Sequence, residues 1–283
     1  MQIGANTWIW TAPVTDAALE WLVPHVAKLG FDLIELPLEI PGSFDYALAA
    51  QRIRDHGLSV AMDAVISPER DLIHPDPAVR AAGMAYVREA IRAAAAVGAA
   101  NLVGPIYAGV GRTWLASAAE RARDLDLLVP QLHSLAQMAG DAGVTLCIEP
   151  LNRFETSFIN LAAQAVELVD RVGHPACQMM LDTFHMNIEE RSLGDAIRLA
   201  GPRLRHLHAC ENDRGAPGTG HLPWQDIAQA LAAIGYDGPV VIETFTSKVT
   251  SIARAAAIWR PLAASQDELA REGLAFLRRL LAG

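Results

Sequence analysis

Four short apolar runs in the second half of the chain, VTLCIEP, QMMLD, RLRHLHA and PVVIET, carry Glu149, Asp182, His208 and Glu243 at or beside their ends. These residues lie 33, 26 and 35 positions apart, close to the roughly 30 residues of one strand and one helix in an eight-fold α/β barrel. Such spacing is expected of a chain that repeats strand and helix with that period. In a closed parallel barrel all C-terminal strand ends converge on one mouth, so the four side chains can meet there. Three carboxylates gathered around one imidazole need a cation between them. The pattern therefore points to a metal-dependent enzyme.

The rest of the chain supports the same repeat. Apolar strand candidates fall at Ile3 to Trp8, Leu33 to Leu36, Ser59 to Ala64, Asn101 to Ile106, Val144 to Ile148, Met179 to Leu181, Leu204 to Leu207 and Val240 to Ile242. Helical patterns such as Val79 to Ala96 and Leu127 to Ala142 lie between them, many ending just before a glycine. No glycine-rich dinucleotide fingerprint follows the first strand, which weakens the open-sheet alternative. The expected fold is α/β: a single (β/α)8 TIM-barrel domain over residues 1–283.

Charge and hydropathy narrow the partners. A formal net charge of -9 disfavours a nucleic-acid backbone. The most apolar stretch, Ala93 to Val103, is broken by Gly98 and Asn101, so no membrane span is expected. No basic stretch followed by an apolar core opens the chain, and a cytoplasmic location is expected. Cys147, Cys177 and Cys210 contain no CxxC pair and read as buried thiols.

Strand alternation pairs each candidate with an inward neighbour: Glu149 with Cys147, Asp182 with Met180, His208 with His206 and Glu243 with Val241. Three carboxylates and one imidazole form a mostly hard donor set, suited to Mn²⁺, Mg²⁺ or Co²⁺. A substrate with two adjacent oxygens would fill the open positions. Glu149 and Glu243, on the fifth and eighth strands, could then remove a proton beside a carbonyl and return it on the opposite face. His206 reads as a hydrogen-bonded core histidine, and Glu35, Glu39 and His221 as residues behind the site or on its rim.

The segments IEPLNRFET, LDTFHMNIEE, HLHACENDRG and VIETFTS resemble the ketose 3-epimerases, the D-tagatose, D-allulose (D-psicose) and L-ribulose 3-epimerase group of xylose isomerase-like barrels. The resemblance runs from Ile3 to the C-terminal helix. It implies that Glu149 and Glu243 are metal ligands and acid/bases, and that Asp182 and His208 are ligands. It implies that Glu155, His185 and Arg214 bind the substrate oxygens near C1 to C3. It also implies Mn²⁺ first, with Co²⁺ or Mg²⁺ as alternatives, a free ketose substrate, and a homodimer or homotetramer. Asp213, where a histidine often precedes the arginine, and the stretch HACEND depart from the family pattern and bear on sugar preference. Trp114 is the tryptophan best placed to line the pocket around the distal carbons.

The nearest competing activity is a 1,2-isomerase, such as a hydroxypyruvate or aldose-ketose isomerase, working through the same intermediate. An abasic-site endonuclease would need more metal ligands and a basic groove. A nonenzymatic sugar-binding barrel would give no solvent exchange at C3.

Overall fold

The computed structural model describes residues 1–282. Eight parallel strands close into a barrel in sequence order: β1 (Ile3–Asn6), β2 (Leu33–Pro37), β3 (Ser59–Asp63), β4 (Asn101–Gly104), β5 (Thr145–Ile148), β6 (Cys177–Asp182), β7 (Leu204–Ala209) and β8 (Val240–Ile242). Closure is made by β1 on β8, with Ile3 opposite Val240. The principal helices between strands are α1 (Asp16–Leu29), α2 (Tyr46–Asp55), α3 (Pro77–Val97), α4 (Ala118–Asp141), α5 (Ala162–Val172), α6 (Thr183–Glu189), α7 (Leu193–Ala200) and α8 (Trp224–Ala233). Past β8 come α9 (Thr250–Ala255) and α10 (Gln266–Leu281).

Several boundaries differ from the sequence reading, each for a local reason. β1 stops at Asn6, whose side chain accepts from the Trp8 amide and turns the chain into a 3₁₀ turn over Thr7–Ile9. β4 stops at Gly104, where φ is +117° and Pro105 follows, so the chain leaves the sheet before Ile106. α4 begins at Ala118 rather than Leu127, because Ser117 and Glu120 form a reciprocal capping box.

The barrel interior is filled by small apolar clusters. Leu33, Ala61 and Val241 form one, and Val103, Cys147 and Met180 another. Gly4 closes the first, since a Cβ there would lie 2.6 Å from Leu33 Cδ2. Successive inward side chains on a strand are two residues apart. Two residues beyond Gly4, Leu33, Ala61, Cys147, Met180, His206 and Val241 stand Asn6, Glu35, Asp63, Glu149, Asp182, His208 and Glu243. The apolar plug thus sets the register of a polar layer at the C-terminal mouth.

Candidate active site

All seven polar-layer side chains are buried. Asp182 ends β6 and leads directly into α6, and its Oδ1 caps that helix by accepting from the Phe184 amide at 2.6 Å. Its Oδ2 faces the Arg214 guanidinium at 3.3 Å. His208 places Nε2 2.8 Å from Glu35 Oε1 and Nδ1 3.3 Å from Glu243 Oε1. Nδ1 has no hydrogen-bond partner among the described residues.

Ligand atoms of Glu149, Asp182 and His208 lie within 4.8 Å of one another, as do those of Asp63, His208 and Glu243. The four expected ligands thus fall into two groups joined at His208. Five buried carboxylates, Glu35, Asp63, Glu149, Asp182 and Glu243, crowd this layer. An unsatisfied imidazole nitrogen among hard oxygen donors fits a divalent cation. Glu35, His206 and His208 form a third group, but none of the three lines the main cavity. Glu35 is better placed to orient His208 from behind.

Electrostatics separate the two glutamates. Burial, and next the charge of Glu243, push Glu149 well above the usual carboxylate range. Burial pushes Glu243 upward as well, but His208 and Arg214 outweigh it and hold it at about 2. Burial raises Asp182 to about 7, although Arg214 pulls the other way. For His208, burial opposes the charge, yet Glu35 and Glu243 keep it well above its ordinary value.

A cavity of about 290 Å³ opens over this layer. Glu149, Glu155, His185, Arg214 and Glu243 line it together. His185 accepts from the Asn152 amide at Nδ1, 3.0 Å away. The neutral ring therefore carries its proton on Nε2, which lies 3.7 Å from Glu149 and 3.4 Å from Arg214. Glu155 accepts from the Asn152 side chain at 2.8 Å. Arg214 is sandwiched between Phe184 and Phe245, 4.1 and 4.8 Å from the ring centroids, and pairs with Glu243.

Arg214 has a left-handed backbone, φ +67°. Its amide donates to Glu211 O, and its carbonyl accepts from the Thr244 hydroxyl. Glu211 is itself fully buried, accepting from Trp224 Nε1 at 2.6 Å and the Gly218 amide at 2.9 Å. This anchor was not singled out in the sequence. Asp213, the departure beside Arg214, points to the surface and pairs with Arg260 at 2.8 Å.

Trp114 is not brought to the cavity. It is 56% exposed, and the Arg112 guanidinium stacks 4.5 Å from its ring. The apolar wall comes instead from Trp8, Phe245 and the connection carrying Ile252, Ala255 and Ala256. Asp63 also lines the cavity and went unread in the sequence. Its position at the end of the third strand candidate was the available signal.

Known proteins are similar to this chain in sequence and fold. A family model described as xylose isomerase-like TIM barrel matches residues 23–280. The chain is 39% identical over 272 residues to a D-psicose 3-epimerase of Agrobacterium fabrum, covering 92% of this chain and 93% of that protein. It is 34% identical over 278 residues to an L-ribulose 3-epimerase of Mesorhizobium japonicum, covering 98% and 93%. A solved D-psicose 3-epimerase, crystallised in the presence of D-fructose, has a TM-score of 0.91 and 35% identity over 100% of both chains.

Proposed function

The chain belongs to the ketose 3-epimerases of the xylose isomerase-like TIM-barrel family and is an isomerase-class enzyme acting on carbohydrates; from that premise we propose that it epimerises free ketoses at C3, with Glu149 and Glu243 exchanging the C3 proton. The observation that carries this reading is the placement of the two glutamates. They rise from β5 and β8 to line one cavity, with the unsatisfied His208 Nδ1 in the same layer. One glutamate would take the proton from C3 to give a cis-ene-diolate, and the other would return a proton to the opposite face.

Glu149, Asp182, His208 and Glu243 would hold the divalent cation, Mn²⁺ first and Co²⁺ or Mg²⁺ as alternatives. When bound, such an ion would polarise the C2 carbonyl and offset negative charge developing on O2 and O3. Glu155, the Nε2–H of His185 and the Arg214 guanidinium would orient the C1 to C3 end through hydrogen bonds. A homodimer or homotetramer is part of the same reading and is checked by light scattering.

The test is proton NMR of D-psicose and D-fructose in D₂O, with EDTA-treated protein before and after Mn²⁺ is added. The expected result is metal-dependent interconversion with deuterium entering at C3. Exchange at C1 would instead mark a 1,2-isomerase, and no exchange with these or other free ketoses would leave a binding barrel.

A further inference from the structure

The functional side chains occupy two opposite arcs of the mouth. Glu155, His185 and Arg214 follow β5, β6 and β7, whereas Trp8, Glu39 and Val65 follow β1, β2 and β3, with Asp63 ending β3. In a ring of eight strands these arcs face each other across the barrel axis. A ketose held by its C1 to C3 end on the first arc, as proposed above, would direct its distal carbons toward the second.

On that second arc the cavity continues. A neighbouring cavity of about 250 Å³ adjoins the first, and Trp8, Glu39, Asp63 and Val65 line both. Ser67, Arg70 and Tyr86 line only the second one. Val65 is 38% exposed, so the junction lies at the mouth rather than within the core.

The chemistry of this annex is specific. Asp63 is 2% exposed, and its Oδ1 has no hydrogen-bond partner among the described residues. Glu39 accepts from Trp8 Nε1. The Arg70 guanidinium lies 4.3 Å from the Tyr86 ring centroid and enters no ion pair among the described residues. Carboxylate acceptors, guanidinium donors and aromatic surfaces recognise a neutral polyhydroxylated ring. Among the residues lining the annex only Arg70 is cationic, a single charge against the nearly two of a phosphate group.

We infer that the site accepts ketoses whose distal carbon carries a second, uncharged sugar ring, which lodges in the annex against Trp8, Ser67 and the Arg70 guanidinium that stacks on Tyr86. This rests on the C3-epimerase reading above. The reaction is unchanged in its balance: the C3 proton leaves to one glutamate, a proton returns from the other, and the glycosidic bond stays intact.

The experiment compares 6-O-α-D-glucopyranosyl-D-fructose, D-fructose and D-fructose 6-phosphate with the Mn²⁺-loaded protein in D₂O. The readouts are deuterium at C3 and kcat/KM. The disaccharide is expected to react with kcat/KM at least equal to that of D-fructose. Arg70→Ala, which removes the free guanidinium, and Ser67→Trp, which fills the annex, should each lower the disaccharide value about tenfold or more. The same variants should change the D-fructose value by no more than about twofold. Turnover of D-fructose without the disaccharide, or equal losses on both, would overturn the annex. Preference for the phosphate would overturn the uncharged ring. Failure of all three substrates would instead remove the C3-epimerase reading, and the annex with it.

Discussion

His208 turns its two ring nitrogens to different carboxylates, Nε2 to Glu35 and Nδ1 to Glu243. A carboxylate accepting from Nε2–H fixes the tautomer whose Nδ1 lone pair can meet a cation. Glu35→Gln should therefore weaken Mn²⁺ binding by about 10- to 100-fold while the far-ultraviolet dichroism is kept. Unchanged affinity by calorimetry would reduce Glu35 to a packing role. Glu149→Gln and Glu243→Gln should each lower kcat by about 10² to 10⁴ and suppress C3 deuterium exchange. Manganese titration of each variant separates loss of the ion from loss of the proton carrier, and a variant that exchanges normally leaves the relay. Glu149, Asp182, His208 and Glu243 were legible because the barrel repeat puts strand ends in phase. Asp63 and Asn6 obey the same rule on β3 and β1 but fall outside the four spaced runs. Trp114 could not be placed this way, because it sits ten residues beyond β4 in a connection outside the barrel's strand repeat.

Gly83 shows how tightly the helices are set against the mouth loops. A Cβ there would lie 2.0 Å from the Arg70 carbonyl oxygen, so α3 cannot stay against the 3₁₀ turn over Pro68–Arg70 once a methyl is added. Gly83→Ala should destabilise by about 1–3 kcal/mol, despite the better helix propensity of alanine. Calorimetry checks the sign, and a raised melting temperature would mean that the turn yields freely. The parallel barrel was legible at this scale because alternating strand and helix patterns leave few other ways to bury both sheet faces. Boundaries were less legible where a side chain or glycine intervened. The start of α4 was encoded in Ser117 and Glu120, but it precedes the apolar periodicity from Leu127. The ends of β1 and β4 depend on the Asn6 cap and the Gly104 backbone, which apolar runs do not report.

For the molecule as a whole, the crowded carboxylates connect metal loading, pH and stability. A carboxyl whose folded pKa exceeds its unfolded value stabilises the fold below the unfolded value, and this contribution disappears as pH rises through the folded value. For Asp182 that interval runs from 3.8 to about 7, and Glu149 shifts in the same direction. Glu243 behaves oppositely: its contribution is present above 4.5 and is lost only as pH falls through about 2. Between about pH 5 and pH 8 the metal-free protein should therefore melt at progressively lower temperature from these groups. A cation binds the ionised carboxylates, so its affinity rises across the same interval. Loading to about 100 times Kd adds about 2.7 kcal/mol. The difference in melting temperature between Mn²⁺-loaded and EDTA-treated protein should thus widen from about pH 5 to about pH 8. Scanning calorimetry at both limits measures it. A gap that stays constant would mean that the ion is held by groups already fully ionised at the lower pH, against the upward shifts of Asp182 and Glu149.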